Sequence, residues 1–276
     1  MPRNGLFGKF RLLMLDKMCS KIRFFQCRED ILITTAFFTR IPINFTTNHN
    51  RVLMQACWCF PVIGAAIGLL GSAFLYLLLA FHIPVPISAI ITIGFFIILT
   101  GALHEDGLAD TADGLGGGAD KKSRIEKMRD SKIGSYGVLA IVLLTLIKVN
   151  AIITLVTGKP FEIAMFSIIC AHSISRFGII FIPYFSSLAS DEGLAWFAGK
   201  PKSIGVIGSF LITSIFILLL LPPDQALLST ILAMVSVGTV GLLATRKIKG
   251  YTGDILGAAQ QVSETTILVY LASASG

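Results

Sequence analysis

Charge is scarce in this chain. Asp, Glu, Lys and Arg make up 14% of its 276 residues, where a soluble domain carries about a quarter. With 54% hydrophobic residues and a mean hydropathy of +0.79, that shortage excludes a soluble enzyme and a disordered chain, because one globule of this length cannot hide so much apolar surface. Histidine is limited to four residues and cysteine to five. Cys19, Cys27, Cys57, Cys59 and Cys170 lack metal-ligand spacing and read as small buried hydrophobes. The first thirty residues have no continuous apolar h-region of about 7–15 residues before a small-residue cleavage site, so no signal peptide is expected. Neither an internal repeat nor a domain-separating linker is present.

What is there is a series of long apolar runs, several reaching the roughly 20 residues a helix needs to cross the hydrocarbon core. The expected fold is all-α, a polytopic transmembrane helix bundle of about seven spans, near 57–81, 85–103, 134–157, 161–183, 203–221, 225–245 and 254–273. The run from Ile31 to Phe45 is too short to cross and contains Arg40-Ile41-Pro42, so it reads as a re-entrant or interfacial segment, with a tilted eighth span as the alternative. Residues 1–30 form a basic extension in which Phe10, Leu13, Met14 and Met18 recur at helical spacing among Lys9, Arg11, Lys17 and Lys21. That pattern suits a helix on an anionic leaflet, and a frayed basic leader fits equally well. Residues 31–276 form a single membrane-embedded domain.

Basicity alternates along the connections and orients the chain. Residues 1–51 hold nine Lys and Arg, 104–133 six, 184–202 two and 246–253 three, together 20 of the 23. By the positive-inside rule these face the cytoplasm, and seven spans then put the C-terminus outside.

The chemistry lies in the carboxylates at this boundary. In His104-Glu105-Asp106-Gly107-Leu108-Ala109-Asp110-Thr111-Ala112-Asp113-Gly114, Asp106, Asp110 and Asp113 stand at i, i+4 and i+7 and would line one helix face, where three carboxylates repel one another. Such a face calls for a cation, and oxygen-only ligands suit Mg²⁺, or Mn²⁺ in its place, rather than zinc. A solvated acidic loop is the plainer alternative. Against it stand the membrane-boundary placement, where ionisable groups default to function, and the alternating small residues that keep the face open.

A glycine run, Gly116-Gly117-Gly118, and six basic side chains between Lys121 and Lys132 follow. Glycines let backbone amides approach an anion and the basic run supplies counter-charge, although an ordinary positive-inside loop has the same look. Taken consecutively, acids, glycines and basic run describe a site for a metal-complexed di- or triphosphate. A second polar stripe, Asp254, Gln261 and Glu264 at i, i+7 and i+10, interrupts the last apolar run and must meet polar partners; the Asp106 face is the natural one. Arg176, beside Ser173 and Ser175, could hold a phosphate or pair with one of these acids. Lys148 is assigned no role, and His172 and His82 read as core or interface residues.

The runs from His104 to Gly114, Met128-Arg-Asp-Ser-Lys-Ile-Gly-Ser-Tyr-Gly137 and Thr252-Gly-Asp-Ile-Leu-Gly-Ala258 resemble the adenosylcobinamide-GDP ribazoletransferase (cobalamin synthase) family. Phe38-Thr-Arg-Ile-Pro42, Pro61 with Gly64 and Gly68, and Glu192-Gly-Leu194 are weaker echoes. The likeness runs from about residue 31 to the C-terminus and makes residues 31–276 the catalytic domain. It implies that α-ribazole, or its 5'-phosphate, attacks adenosylcobinamide-GDP through a ribose 3'-hydroxyl and releases GMP. Asp106, Asp110 and Asp113 would hold one or two Mg²⁺ ions, and Asp130, Asp254 or Glu264 would complete the coordination or accept the proton. Lys127, Arg129 and Lys132 would neutralise the leaving GMP, while His104, Glu105, Tyr136, Thr252, Gln261 and Arg176 would bind substrate. The setting would be the cytoplasmic (inner) membrane of a prokaryote, with the site facing the cytoplasm. Membrane lipid, a second copy or other late cobalamin-pathway enzymes are the expected partners, and nucleic acid is not.

Two rivals share the acidic boundary. CDP-alcohol phosphotransferases and prenyltransferases carry Asp-rich helices, but the Asp106-Gly107 pair is not followed by the CDP-alcohol spacing. A divalent-cation transporter would place carboxylates at mid-membrane on several spans.

Overall fold

The computed structural model describes residues 26–43 and 51–274. The amphipathic pattern around Phe10 and the residue Cys19 lie outside them. Residues 26–38 form helix α1, too short to span. A 3₁₀ turn, Leu53–Cys59, runs into α2, Phe60–Ala80, with a proline in its first turn. The later helices are α3 (Val85–Thr100), α4 (Leu103–Gly117), α5 (Lys121–Met128), α6 (Ser135–Gly158), α7 (Phe161–Gly178), α8 (Phe181–Phe185), α9 (Leu194–Ala198), α10 (Ser203–Leu220), α11 (Pro223–Ile248) and α12 (Gly253–Ser273).

The chain is thus an all-α bundle, with a helix at each of the seven expected spans. By length and apolar character, though, five helices of the described residues can cross a membrane, or six if α3 and α4 are one broken span. Two features reduce the expected seven. The run taken as a span to residue 103 breaks at Gly101 and Ala102, both left-handed (φ 67° and 56°), so α3 keeps 16 residues and α4 departs at 91°. By itself α4, 15 residues long and carrying Glu105, Asp106, Asp110 and Asp113, is too short and too charged to be a spanning helix. The seventh, α12, carries Asp254, Gln260, Gln261 and Glu264 and is buried along most of its length; α4, α6, α7 and α11 pack around it. A polar helix at membrane depth is tolerated when protein, rather than lipid, surrounds it.

Small residues set the close helix contacts. A Cβ at Gly68 of α2 would come within 2.8 Å of the Ile169 Cα on α7, and Gly64 likewise has no room against the His172 carbonyl. This pair is therefore used within the chain, and is not left over for a second copy. Gly107 and Gly257 do the same for α4 on α12, a Cβ at either lying about 3.2 Å or less from the other helix's backbone. The contact brings the acidic face of α4 onto the start of α12. Large apolar side chains such as Leu139, Leu143 and Leu146 on α6 and Leu211, Ile215 and Leu219 on α10 stay exposed, as lipid-facing surfaces do.

Helix α1 is held by an ion pair between a buried Asp30 and a half-buried Arg51. Arg51 Nε and NH2 donate to the two Asp30 oxygens at 2.7 and 2.6 Å, and Trp58 Nε1 adds a bond at 2.8 Å. The Arg40 amide then donates to the Leu99 carbonyl at 2.7 Å, tying the end of α1 to the end of α3.

Candidate active site

Helix α4 carries Asp106, Asp110 and Asp113 on one face, as the spacing requires, but the structure divides their work. Asp106 is exposed, Asp110 half-buried, and Asp254 stands close by at the start of α12. Burial first, and then the charges of Asp106, Asp254 and Asp113, push the Asp110 carboxyl up to about 7. Among the described residues, none of Asp106, Asp110 and Asp254 forms an ion pair with a Lys, Arg or His. An all-oxygen, mutually repelling set without a cationic partner fits a hard divalent ion in donor type and charge. Among the described residues no three His, Cys, Asp or Glu side chains are already gathered as a metal-ligating group.

Asp113, a turn further along the same face, has a different partner. Its Oδ2 accepts from the Gly134 amide at 2.7 Å and its Oδ1 from the Gly137 amide at 2.9 Å, so it caps the start of α6. A Cβ at either glycine would collide with that carboxylate, which explains the Gly134-Ser-Tyr-Gly137 pattern. Of the three aspartates expected to hold one or two Mg²⁺ ions, Asp113 is thus the one that anchors the 118–134 connection to α4.

The glycine run also differs from the expected anion cradle. Gly114 and Gly118 sit against the backbone of Arg124, where a Cβ would approach within 2.9 and 2.8 Å, and the Tyr136 ring covers Gly116. These glycines let α5 close onto α4. Helix α5 starts with a capping box, Asp120 with Ser123. Lys127 and Lys132 are exposed, with the Lys127 Nζ above Gly117. Arg129 is engaged instead by Glu192 and by the Ser190 hydroxyl, both at 2.8 Å. Asp130 accepts from the Lys132 amide at 3.0 Å, a local turn bond. Thr252 caps α12 through the Ile255 amide and donates to Asp254 at 3.1 Å, so it positions a carboxylate.

The polar stripe of α12 is split. Ten residues of helix separate Asp254 from Glu264, about 15 Å at 1.5 Å per residue, and only Asp254 reaches the acidic face. Glu264 lies in a buried cluster: Lys148 Nζ donates to its Oε1 at 2.5 Å, while its Oε2 meets Gln260 Nε2 at 2.5 Å, His172 Nδ1 at 2.9 Å and Arg176 at 3.5 Å. Arg176 thus pairs with an acid rather than offering itself to a phosphate, and its guanidinium also lies over the Phe38 ring. Gln261 joins the cluster to α4, accepting from Lys148 at 2.7 Å and donating to Glu105 at 3.0 Å. Glu264, expected as a catalytic residue, and Arg176, Glu105 and Gln261, expected to bind substrate, are here drawn together in one internal network. Composition hid Lys148, His172 and Gln260; the signal for them was their mid-span placement, since buried charge needs a partner.

His104 is buried beside Phe38 and lines two cavities. One is a small polar space with Glu105, Lys148, Arg176 and Glu264. The other is apolar, bordered by Asp106 and Asp254.

Comparison with known proteins agrees with this distribution of motifs. The family model described as cobalamin-5-phosphate synthase matches residues 30–272. A protein of Bradyrhizobium diazoefficiens named adenosylcobinamide-GDP ribazoletransferase is 35% identical over 248 residues, 88% of this chain and 93% of that protein. Proteins of the same name from Azorhizobium caulinodans and Shewanella pealeana are 36% and 38% identical, covering 87% of this chain and 94% and 93% of theirs. No solved structure matches.

Proposed function

The chain belongs to the cobalamin-5-phosphate synthase family and performs the final assembly step of cobalamin, transfer of ribazole onto adenosylcobinamide-GDP, and we propose that this chemistry takes place where Asp106, Asp110 and Asp254 meet. The observation that carries this placement is the crowding of carboxylates without a cationic partner, which together with burial pushes the Asp110 carboxyl up to about 7.

In the reaction the ribose 3'-oxygen forms a bond to the phosphorus that bears the cobinamide. The pyrophosphate P–O bond breaks, GMP leaves with that electron pair, and the hydroxyl proton passes to a carboxylate. Little covalent work is asked of the protein, so positioning and charge neutralisation dominate. Asp106, Asp110 and Asp254 would hold Mg²⁺, or Mn²⁺, whose chemistry is neutralisation of pyrophosphate charge. Asp254, oriented by the Thr252 hydroxyl, would accept the proton where Asp106 and Asp110 alone hold the ion. Lys127 and Lys132, exposed on the connection that Asp113 anchors, would meet the leaving GMP. The basic connections support a cytoplasm-facing site in a bacterial inner membrane.

The test is GMP release by the purified, detergent-solubilised protein with adenosylcobinamide-GDP, α-ribazole phosphate and Mg²⁺. GMP should need both substrates and the metal and should fall at least 100-fold in Asp106→Asn. Full turnover after chelation, or in Asp106→Asn, would refute the placement.

A further inference from the structure

The apolar cavity beside Asp106 and Asp254 is not explained by phosphoryl transfer. Its walls include Phe37, Met54, Phe60, Ala195, Ala198 and Leu256, and about 620 Å³ lies between them, the open space at the mouth included. Six parts of the chain meet there: α1, the 3₁₀ turn with α2, α4, the end of α7 at Ile179, α9 and the start of α12. The Asp30–Arg51 pair fixes α1 against that turn. Helix α9 closes one side between two left-handed glycines, Gly193 at φ 91° and Gly199 at φ 74°. It turns the buried Ala195 and Ala198 to the cavity while Trp196 and Phe197 stay exposed.

The reaction brings three bulky groups to the site: a corrin, a guanine and the base of the ribazole. The corrin macrocycle is too large for the cavity. Guanine carries donors and acceptors around its whole edge; His104, Asp106 and Asp254 stand on one side of the cavity, and against the phenylalanine, methionine, leucine and alanine of the other walls the remaining edge groups would stay unpaired, at a cost of about 1–3 kcal/mol each. A benzimidazole-type base is a flat, largely apolar bicycle that such walls suit. We infer that this cavity takes the base of α-ribazole, which sets the attached ribose beside Asp106 and Asp254. The inference rests on the proposed placement of the reaction on that acidic face.

Filling the cavity from α9 tests it, since α9 lies outside the main bundle. In Ala198→Phe and Ala195→Phe, KM for α-ribazole phosphate should rise at least tenfold while KM for adenosylcobinamide-GDP stays within twofold. An equal rise in both, or a rise for adenosylcobinamide-GDP alone, would overturn the assignment. A measurement on the unmodified protein does not depend on variant folding: free 5,6-dimethylbenzimidazole should inhibit competitively against α-ribazole phosphate and not against adenosylcobinamide-GDP. Competition with adenosylcobinamide-GDP, or no inhibition at millimolar concentration, would count against it. Failure of the proposed placement looks different: Asp106→Asn would retain turnover whatever these inhibition patterns showed.

Discussion

Gln261 donates to Glu105 at 3.0 Å across the α4–α12 interface. Its carbonyl oxygen accepts from Lys148 at 2.7 Å, so one amide links an ion cluster at membrane depth to the helix that carries Asp106. Because buried polar groups are expensive when left unpaired, replacing this amide affects both ends. Gln261→Leu is expected to destabilise the protein by about 1–3 kcal/mol, read as a lower midpoint of thermal unfolding in detergent. It should also lower kcat, through displacement of α4, more than it raises either KM.

Glu264 is the common partner of Lys148, His172, Arg176 and Gln260. Removing the acid leaves Lys148 and Arg176 buried without their counter-charge, a change that costs about 3–5 kcal/mol when one partner of a buried pair is lost. Glu264→Leu should therefore fold poorly or unfold at much lower temperature. The double variant Glu264→Leu with Lys148→Met is expected to recover part of the loss, and the unfolding midpoints of the two proteins decide it.

Asp113 holds the start of α6 through the Gly134 and Gly137 amides. Loss of a capping side chain costs about 0.5–2 kcal/mol. Asp113→Ala should lose that much stability and should raise KM for adenosylcobinamide-GDP, because the basic connection would no longer be anchored. If Asp113 instead bound the metal, the main effect would be a weaker apparent Mg²⁺ affinity with KM for the nucleotide unchanged, so a Mg²⁺ titration separates the two.

Asp110 offers a pH signature. Its carboxyl is raised from 3.8 to about 7, so between those values the metal-free folded state binds more protons than the unfolded chain. The stability it contributes is full below 3.8 and is lost as the pH rises to about 7. A divalent ion competes with that proton, so apparent Mg²⁺ affinity is expected to increase from pH 6 to pH 8. Calorimetric titration in two buffers of different ionisation enthalpy should show proton release on binding near neutral pH, and a pH-independent affinity would contradict this account.

Much of the site was legible before the fold. Asp106, Asp110 and Asp113 at i, i+4 and i+7 required one helix face, and α4 provides it. The separation of roles on that face was not legible: whether a carboxylate meets a cation, a backbone amide or another acid depends on which helix end lies opposite. Asp113 met the α6 N-terminus, and nothing local to residues 104–114 encodes that neighbour. The stripe Asp254, Gln261 and Glu264 showed the same limit. Helical period put the three on one side of α12, but about 15 Å of helix delivered them to different partners.

What the sequence determined by itself was the solvent and the composition of the parts. Apolar runs of membrane length, scarce charge and basic connections allow few arrangements besides a helical bundle in lipid, because each is a local property of consecutive residues. What only the tertiary structure decided was convergence. The left-handed pair Gly101 and Ala102 turned α4 out of line with α3, Gly107 and Gly257 let it settle on α12, and burial then matched Glu264 with Lys148 across more than a hundred residues of chain and with Arg176 across nearly ninety. Those pairings follow from packing and from the cost of unpaired charge, which act on distance in space and leave no fixed spacing in the sequence.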